Sequence, residues 1–315
     1  MAQYTILNDI DVQTILSHYG SEIVVSYQVL SGGSENTNYL VNTSTKSYVL
    51  TICEQKSHKE TEQLALLLEY LNDHNFATSK VVKTKNNLLT YIWSDKPIML
   101  KEFIEGEIVE DLSKELLIYL GRELAKLHQI KPLGYLPKTV SYGLERFDEV
   151  IVYAPESSFY TWLKETQAFI ETYIQTDLPK SLIHSDIFYN NIIVDKNEKQ
   201  ATIMDFEEAC YYYRVFDIGM MIIGTCSKDN TLDLEKVSNL LKGYQQEITL
   251  LDIEIEVLKV FTVYGATATA FWRHQNFNYV QVNKEMANHY MAMQELATHV
   301  IAISDEKFKK CFALE

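Results

Sequence analysis

The sequence is poor in cysteine. Its four cysteines, Cys53, Cys210, Cys226 and Cys311, include no Cys-x-x-Cys pair and no accompanying cluster of histidines. Neither a disulfide framework nor a structural zinc site is expected from that spacing, and a reducing compartment fits. Positive charge is also scarce. Lys and Arg number 28 against 43 Asp and Glu, a formal net charge of −15. Such a balance argues against nucleic-acid or anionic-membrane partners, which would repel it. It suits a substrate bearing an amine, and it suits solubility alone equally well. Long apolar runs are missing too. The longest strongly apolar stretch, near Gly219–Cys226, falls far short of the roughly 18 residues a membrane span needs. The opening residues, MAQYTILNDIDVQ, lack a basic start followed by an apolar run. No leader is therefore expected, and a cytoplasmic location is predicted. No repeat or low-complexity linker interrupts the 315 residues, enough for two lobes with cores of their own.

What is present is concentrated in residues 182–207, LIHSDIFYNNIIVDKNEKQATIMDFE. His184, Asp186 and Asn191 read His-x-Asp-x-x-x-x-Asn, and Asp205 follows in Met-Asp-Phe-Glu. Apolar runs flank both motifs: Leu182-Ile183, Ile192-Ile193-Val194 and Ala201-Thr202-Ile203-Met204. The polar pair Asn197-Glu198 between the last two runs predicts a hairpin with a loop of several residues. A carboxylate then stands before the hairpin and another after it. Phosphoryl transfer uses such a set. Asp186 is read as the base or orienting carboxylate for a substrate hydroxyl, and Asn191 and Asp205 as oxygen ligands for Mg2+. The protein-kinase form of this loop has Arg at the second position and Asp-Phe-Gly as the metal motif. Ser185 and Glu207 stand there instead, which points to a small-molecule substrate.

The loop resembles that of the aminoglycoside phosphotransferase and choline kinase superfamily, and within it the homoserine kinase branch most closely. The resemblance extends at low stringency over most of the chain. It implies an α+β, two-lobed protein-kinase-like fold. A β-rich N-terminal nucleotide-binding lobe would cover residues 1–102, and a mainly helical catalytic and substrate-binding lobe residues 103–315. It implies ATP and Mg2+ as cofactors and a small-molecule substrate with a hydroxyl and an amine.

Residues 9–19 read as a short amphipathic helix, and Glu22–Leu30, Tyr39–Asn42 and Tyr48–Cys53 as three successive strands. The turn Ser31–Asn38 carries Gly32 and Gly33, whose backbone can approach phosphate closely. Ser34, Thr37 and Asn38 add side-chain donors, and SGGSENTNYLV resembles the opening of homoserine kinases. The following strand departs from the kinase pattern. Thr51 stands where a phosphate-anchoring Lys is usual, and the homoserine kinase group also carries Thr at this position. Lys56 is read as a solvated surface lysine, with reach to the phosphates as the alternative. Glu62, with Glu60 competing, is the expected partner glutamate on a helix over 58–74. A strand over Pro97–Ile104 then leads to Gly106. In the superfamily this connector bonds adenine, which makes Glu102, Phe103 and Ile104 the adenine candidates.

Beyond Gly106 the pattern is helical except for the hairpin. Ser113–Gln129 puts Leu116, Leu117, Leu120, Leu124 and Leu127 on one face. His128 is read as a packed or capping residue. Asp217 matches a recurring family Asp that organises the catalytic loop, with a helix N-cap as the plain alternative. Helices are predicted over Leu250–Phe261, over Ala266–His274 and over 283–303. That last region resembles the substrate-reading part of homoserine kinases. A zwitterionic substrate needs a cation for its carboxylate and an acid for its amine. Arg273 and Glu207 are the respective candidates, with a structural ion pair as the alternative for Arg273. Rival readings are choline, ethanolamine, amino-sugar or aminoglycoside phosphorylation, and a non-catalytic nucleotide-binding protein, which the absent lysine at Thr51 alone supports. A protein kinase is disfavoured by Ser185, by Glu207 and by the lack of an Ala-Pro-Glu motif.

Overall fold

Asn8 opens the first helix through its own side chain, which accepts the Asp11 N–H while the Asp11 carboxylate accepts the Asn8 N–H. This reciprocal capping box satisfies two helix-end donors. The helix, α1 (Asp9–Ser17), buries Val12, Ile15 and Leu16. The computed structural model describes residues 5–20, 22–30, 36–174 and 177–312. The chain divides into two compact units, Met1–Gly106 with Met204–Glu207, and Glu107–Ile203 with Glu208–Glu315.

In the first unit α1 is followed by β1 (Val24–Val29), β2 (Asn36–Thr43), β3 (Ser47–Cys53), α2 (His58–Asp73), β4 (Val81–Val82), β5 (Tyr91–Trp93) and β6 (Lys96–Glu102). The strands form an antiparallel sheet in the order β1-β2-β3-β6-β4, with β5 also on β6. Strand alternation sends Tyr39, Val41, Leu50 and Ile52 to one face, where they meet Val12, Ile15 and Leu16 of α1. The other face carries Met99 and Cys53, which pack with Ala65 of α2. Each fully buried Leu or Ile contributes about 1.5–3 kcal/mol of hydrophobic stabilisation.

Two expectations need correction here. β2 begins at Asn36 because β3 continues to Cys53 and pairs with it as far as Asn36↔Cys53. Thr37 and Asn38 therefore lie in a strand and not in the turn. Gly32, Gly33 and Ser34 lie outside the described residues. β6 ends at Glu102, so Phe103 and Ile104 follow the strand and do not belong to it.

The second unit contains α3 (Lys114–Gln129), α4 (Val150–Tyr153), α5 (Ser158–Glu171), β7 (Lys180–Ile183), β8 (Ile192–Val194), β9 (Ala201–Ile203), β10 (Cys210–Tyr213) and α6 (Arg214–Thr225). The short pair β11 (Ser227–Lys228) and β12 (Thr231–Leu232) precedes α7 (Leu234–Tyr244), α8 (Asp252–Gln275), α9 (Tyr290–Ala302) and α10 (Asp305–Lys309). All five leucines of the expected face of α3 are buried. α3 and α7 meet at glycines. A Cβ on Gly121 would stand 2.1 Å from the Leu240 carbonyl oxygen, and one on Gly243 would stand 2.0 Å from that of Ile118.

The two helices expected over 250–274 are one, α8. Its middle is rich in Thr and β-branched residues, whose low helix propensity costs only tenths of a kcal/mol each. Burial overrides that cost, and Thr262, Thr267 and Thr269 donate to carbonyls one turn back. At its start, buried Glu254 accepts two 2.6 Å bonds from Arg214. Among the described residues no helix is long and apolar enough to cross a membrane.

Candidate active site

β7 pairs with β10 from Lys180↔Tyr213 to Ile183↔Cys210 and delivers the chain to His184. Ser185 then adopts φ 68°, a conformation that L-residues other than Asn, Asp and His rarely adopt. Asp217, in the first turn of α6, holds this turn. Its Oδ2 accepts the His184 N–H at 2.8 Å and its Oδ1 the Ser185 N–H at 2.7 Å. His128 Nε2 lies 3.1 Å from Oδ2, while its Nδ1 meets the Tyr244 hydroxyl at 2.8 Å. Asp217 and His128 are fully buried at the side chain. The Tyr142 hydroxyl donates to the Ser185 carbonyl at 2.5 Å, and the Ser185 hydroxyl donates to the Glu208 carbonyl at 2.7 Å. Burial, and next the charge of Asp186, raise the Tyr142 hydroxyl well above its ordinary pKa, so it stays a donor. Gly224 of α6 lets the loop descend onto it, since a Cβ there would stand 2.1 Å from the Ile187 carbonyl oxygen.

Asp186 is half-buried, and its N–H donates to His184 Nδ1 at 3.2 Å. Asn191 Nδ2 donates to the Asp186 carbonyl at 2.9 Å and to its Oδ2 at 3.2 Å. With its amide nitrogen bonded to Asp186, Asn191 keeps its side-chain oxygen as the group that could hold a cation. The predicted hairpin follows as β8 and β9, paired from Ile192↔Ile203 to Val194↔Ala201. Asp195 closes its loop by accepting the N–H groups of Lys199 and Gln200, both at 2.8 Å. Arg273, near the end of α8, stands over the Phe188 ring with its Cζ 5.8 Å from the centroid. Burial pulls its pKa down to about 10, and the charge of Asp186 opposes that fall. It remains a cation at neutral pH.

The other candidates belong to the first unit. Asp205 follows β9 by two residues and adopts φ 69°. Phe206 is buried edge-on against Phe76, their centroids 5.9 Å apart. Glu207, expected to meet a substrate amine, instead accepts Asn36 Nδ2 and pairs with Lys56 Nζ at 3.3 Å. Lys56 is accordingly no solvated surface lysine; its side chain is 19% exposed. Neither expected helix glutamate takes that place. Glu60 caps α2 by accepting the Ser57 N–H at 2.8 Å, and Glu62 faces solvent. Thr51 is fully buried and donates to Asn38 Oδ1 at 2.7 Å. Thr37 is buried too, and its hydroxyl donates to Glu54 at 2.7 Å. Its reading as a phosphate donor is thereby corrected: a strand position turns the hydroxyl inward. Of the adenine candidates, the Glu102 N–H is taken by the Lys80 carbonyl at 2.8 Å and the Phe103 N–H by that of Ser47 at 3.2 Å.

Residues 26–248 match the phosphotransferase enzyme family, a span of more than half the chain. The chain belongs to this family. It is a small-molecule kinase with a protein-kinase-like α+β fold. Among curated relatives, the homoserine kinase of Zymomonas mobilis is 26% identical over 267 residues, 81% of this chain and 82% of that protein. The homoserine kinase of Chelativorans sp. is 29% identical over 271 residues, 82% of each. Similar solved structures include spectinomycin phosphotransferase in complex with ADP and spectinomycin, at 16% identity and a TM-score of 0.71 over 96% of this chain and 99% of that one. A microcompartment-associated aminopropanol kinase gives a TM-score of 0.68 at 19% identity, over 97% and 99%. At those identities the structures speak for the fold. Among the described residues of this kinase, no group of three or more His, Cys, Asp and Glu forms a cation cage. Magnesium sites in kinases characteristically use one or two protein ligands together with substrate phosphates.

Two features of the site escaped sequence reasoning. The tie of His128 to Asp217 joins residues far apart in the chain, and so does that of Lys56 to Glu207. The only sequence signal for the second pair was the missing lysine at Thr51.

Proposed function

We propose that this kinase transfers the γ-phosphoryl group of ATP, with magnesium, to the side-chain hydroxyl of homoserine. The observation that carries the choice of substrate is Arg273. It is a desolvated cation on the same unit as Asp186, near the loop that bears it. Burying a cation is costly unless an anion meets it, and a substrate carboxylate supplies one. Choline, ethanolamine and hexosamines have no such group. The homoserine kinases that cover over four-fifths of the chain support the same reading.

Asp186 accepts the proton of the substrate hydroxyl and orients its oxygen toward the phosphorus. Asn191, through its amide oxygen, and Asp205, through its carboxylate, are the residues that would hold magnesium; both offer the hard oxygen donors this ion prefers. When bound, the metal neutralises charge developing on the phosphate oxygens. The Ile104 N–H is the adenine donor, because those of Glu102 and Phe103 are engaged in the sheet. Gly32, Gly33 and Ser34, together with Asn38, are the candidate phosphate-binding residues. Catalysis rests on positioning and charge neutralisation, as phosphoryl transfer generally does.

The test is ADP release with ATP and magnesium against L-homoserine, choline, ethanolamine, hexosamines and an aminoglycoside. Strong turnover with homoserine alone is expected. A preference for any carboxylate-free member would overturn the substrate. ATP binding without turnover on any of them would favour a non-catalytic nucleotide-binding protein.

A further inference from the structure

Kinase-fold enzymes usually hold the nucleotide phosphates with a lysine on the strand occupied here by β3, restrained by a helix glutamate. This chain has Thr51 at that position, buried and hydrogen-bonded to Asn38. The anchoring cation must come from elsewhere. Most lysines of the first unit are engaged at the surface. Lys46 and Lys80 both pair with Glu102. Lys83 pairs with Glu69, and Lys96 with Glu54. The side chains of these four are 38–62% exposed. Lys59 and Lys85 face solvent. Lys56 differs. It lies in the turn between β3 and α2, and its side chain is 19% exposed. Its partner Glu207, 16% exposed, is fixed in turn by Asn36. Glu207 stands two residues after Asp205, so the pair brings a shielded ammonium to the backbone segment that carries the metal carboxylate.

We propose that Lys56, positioned by Glu207, is the cation that binds the β- and γ-phosphates of the nucleotide in place of the missing strand lysine. The inference rests on the kinase reading above. Glu207 takes over the part of the helix glutamate, which neither Glu60 nor Glu62 fills. The residue that carries the anchor and the residue that restrains it have both moved, while an ion pair of the same kind remains. Lys101 is the competing cation. It sits on β6 beside Glu102, next to the adenine candidates, whereas Lys56 is paired with Glu207, two residues after Asp205.

The test is calorimetric binding of ATP, ADP and AMP with magnesium and no second substrate, for wild type, Lys56→Met, Lys56→Arg and Lys101→Met. Hydrogen bonds to charged groups typically contribute about 1.5–3 kcal/mol, so Lys56→Met should weaken ATP about 10- to 150-fold. AMP, which lacks the outer phosphates, should bind nearly as before. Lys56→Arg keeps the charge and should restore most of the ATP affinity. Lys101→Met should leave the ATP-to-AMP ratio unchanged. Should Lys56→Met fail to fold, Lys56→Gln is read in the same way. An unchanged ratio in the Lys56 variants, or its collapse in Lys101→Met instead, overturns the inference and leaves the kinase reading standing. Absence of ATP binding by the wild type overturns both.

Discussion

Oδ1 of Asp217 accepts the backbone N–H of Ser185 at 2.7 Å, across 32 positions of sequence. The other oxygen takes the N–H of His184 and the ring of His128. One buried carboxylate thus fixes the turn that aims Asp186, and offsets the unfavourable backbone angle of Ser185. Asp217→Asn replaces one acceptor with an amide group that faces a donor. An unsatisfied buried donor costs about 1–3 kcal/mol, so the unfolding midpoint should fall. Because Asp217 positions the loop, kcat should drop at least about tenfold, the equivalent of 1.4 kcal/mol, with the KM for ATP little changed. Thermal unfolding and steady-state kinetics check both. Equal losses in kcat and ATP affinity would argue for general unfolding.

Arg273 gives a prediction about substrate selectivity. 3-Aminopropanol is homoserine without its carboxylate. Arg273→Met should raise the KM for homoserine about 10- to 150-fold, the range for a lost charged hydrogen bond. It should hardly alter the weak activity on 3-aminopropanol.

His274 predicts sensitivity to acid. It is buried, with its ring stacked on Phe159 at 3.9 Å and Tyr290 edge-on at 4.8 Å. Burial lowers its pKa from 6.5 to about 4. Below 6.5 the unfolded chain takes up a proton that the folded chain refuses. The stability due to neutral His274 is thus complete above pH 6.5 and is lost as pH falls toward 4, on the order of 1 kcal/mol per pH unit. Unfolding midpoints measured across that window should fall less steeply for His274→Phe than for wild type.

The α3–α7 contact should tolerate no side chain at its glycines. Gly243→Ala would bring a methyl to 2.0 Å from the Ile118 carbonyl oxygen, so the helices must separate. Overpacking of this kind costs about 1–3 kcal/mol. Chemical denaturation should report that loss for Gly243→Ala. Gly134→Ala, with nothing within 4 Å of its added Cβ, should leave stability close to wild type.

Sequence alone carried the reading furthest where periodicity and punctuation agree. The β8–β9 hairpin was legible because two short apolar runs flank a polar loop, and the leucine face of α3 because its spacing is strictly helical. Asp217 as organiser of the loop was legible through resemblance, and its bonds to His184 and Ser185 supply the physics. Local pattern failed where tertiary contacts decide. The local pattern over 250–274 reads as two helices, while burial sustains one, α8. Thr37 reads as a turn donor because the extent of pairing with β3 is not written locally. Lys56 reads as a surface residue because its partner, Glu207, lies far away in sequence.

The most direct test of the account is to incubate the enzyme with ATP, magnesium and an equimolar mixture of L-homoserine, 3-aminopropanol, choline and ethanolamine. Mass spectrometry then identifies which compound gains a phosphoryl group, with Asp186→Asn run in parallel. The account predicts phosphohomoserine as the dominant product. It predicts a rate about 10²–10⁴ lower for Asp186→Asn, the typical contribution of a positioned acid–base group, with ATP affinity retained. A dominant phosphoester on a carboxylate-free acceptor, or undiminished turnover in Asp186→Asn, would contradict it.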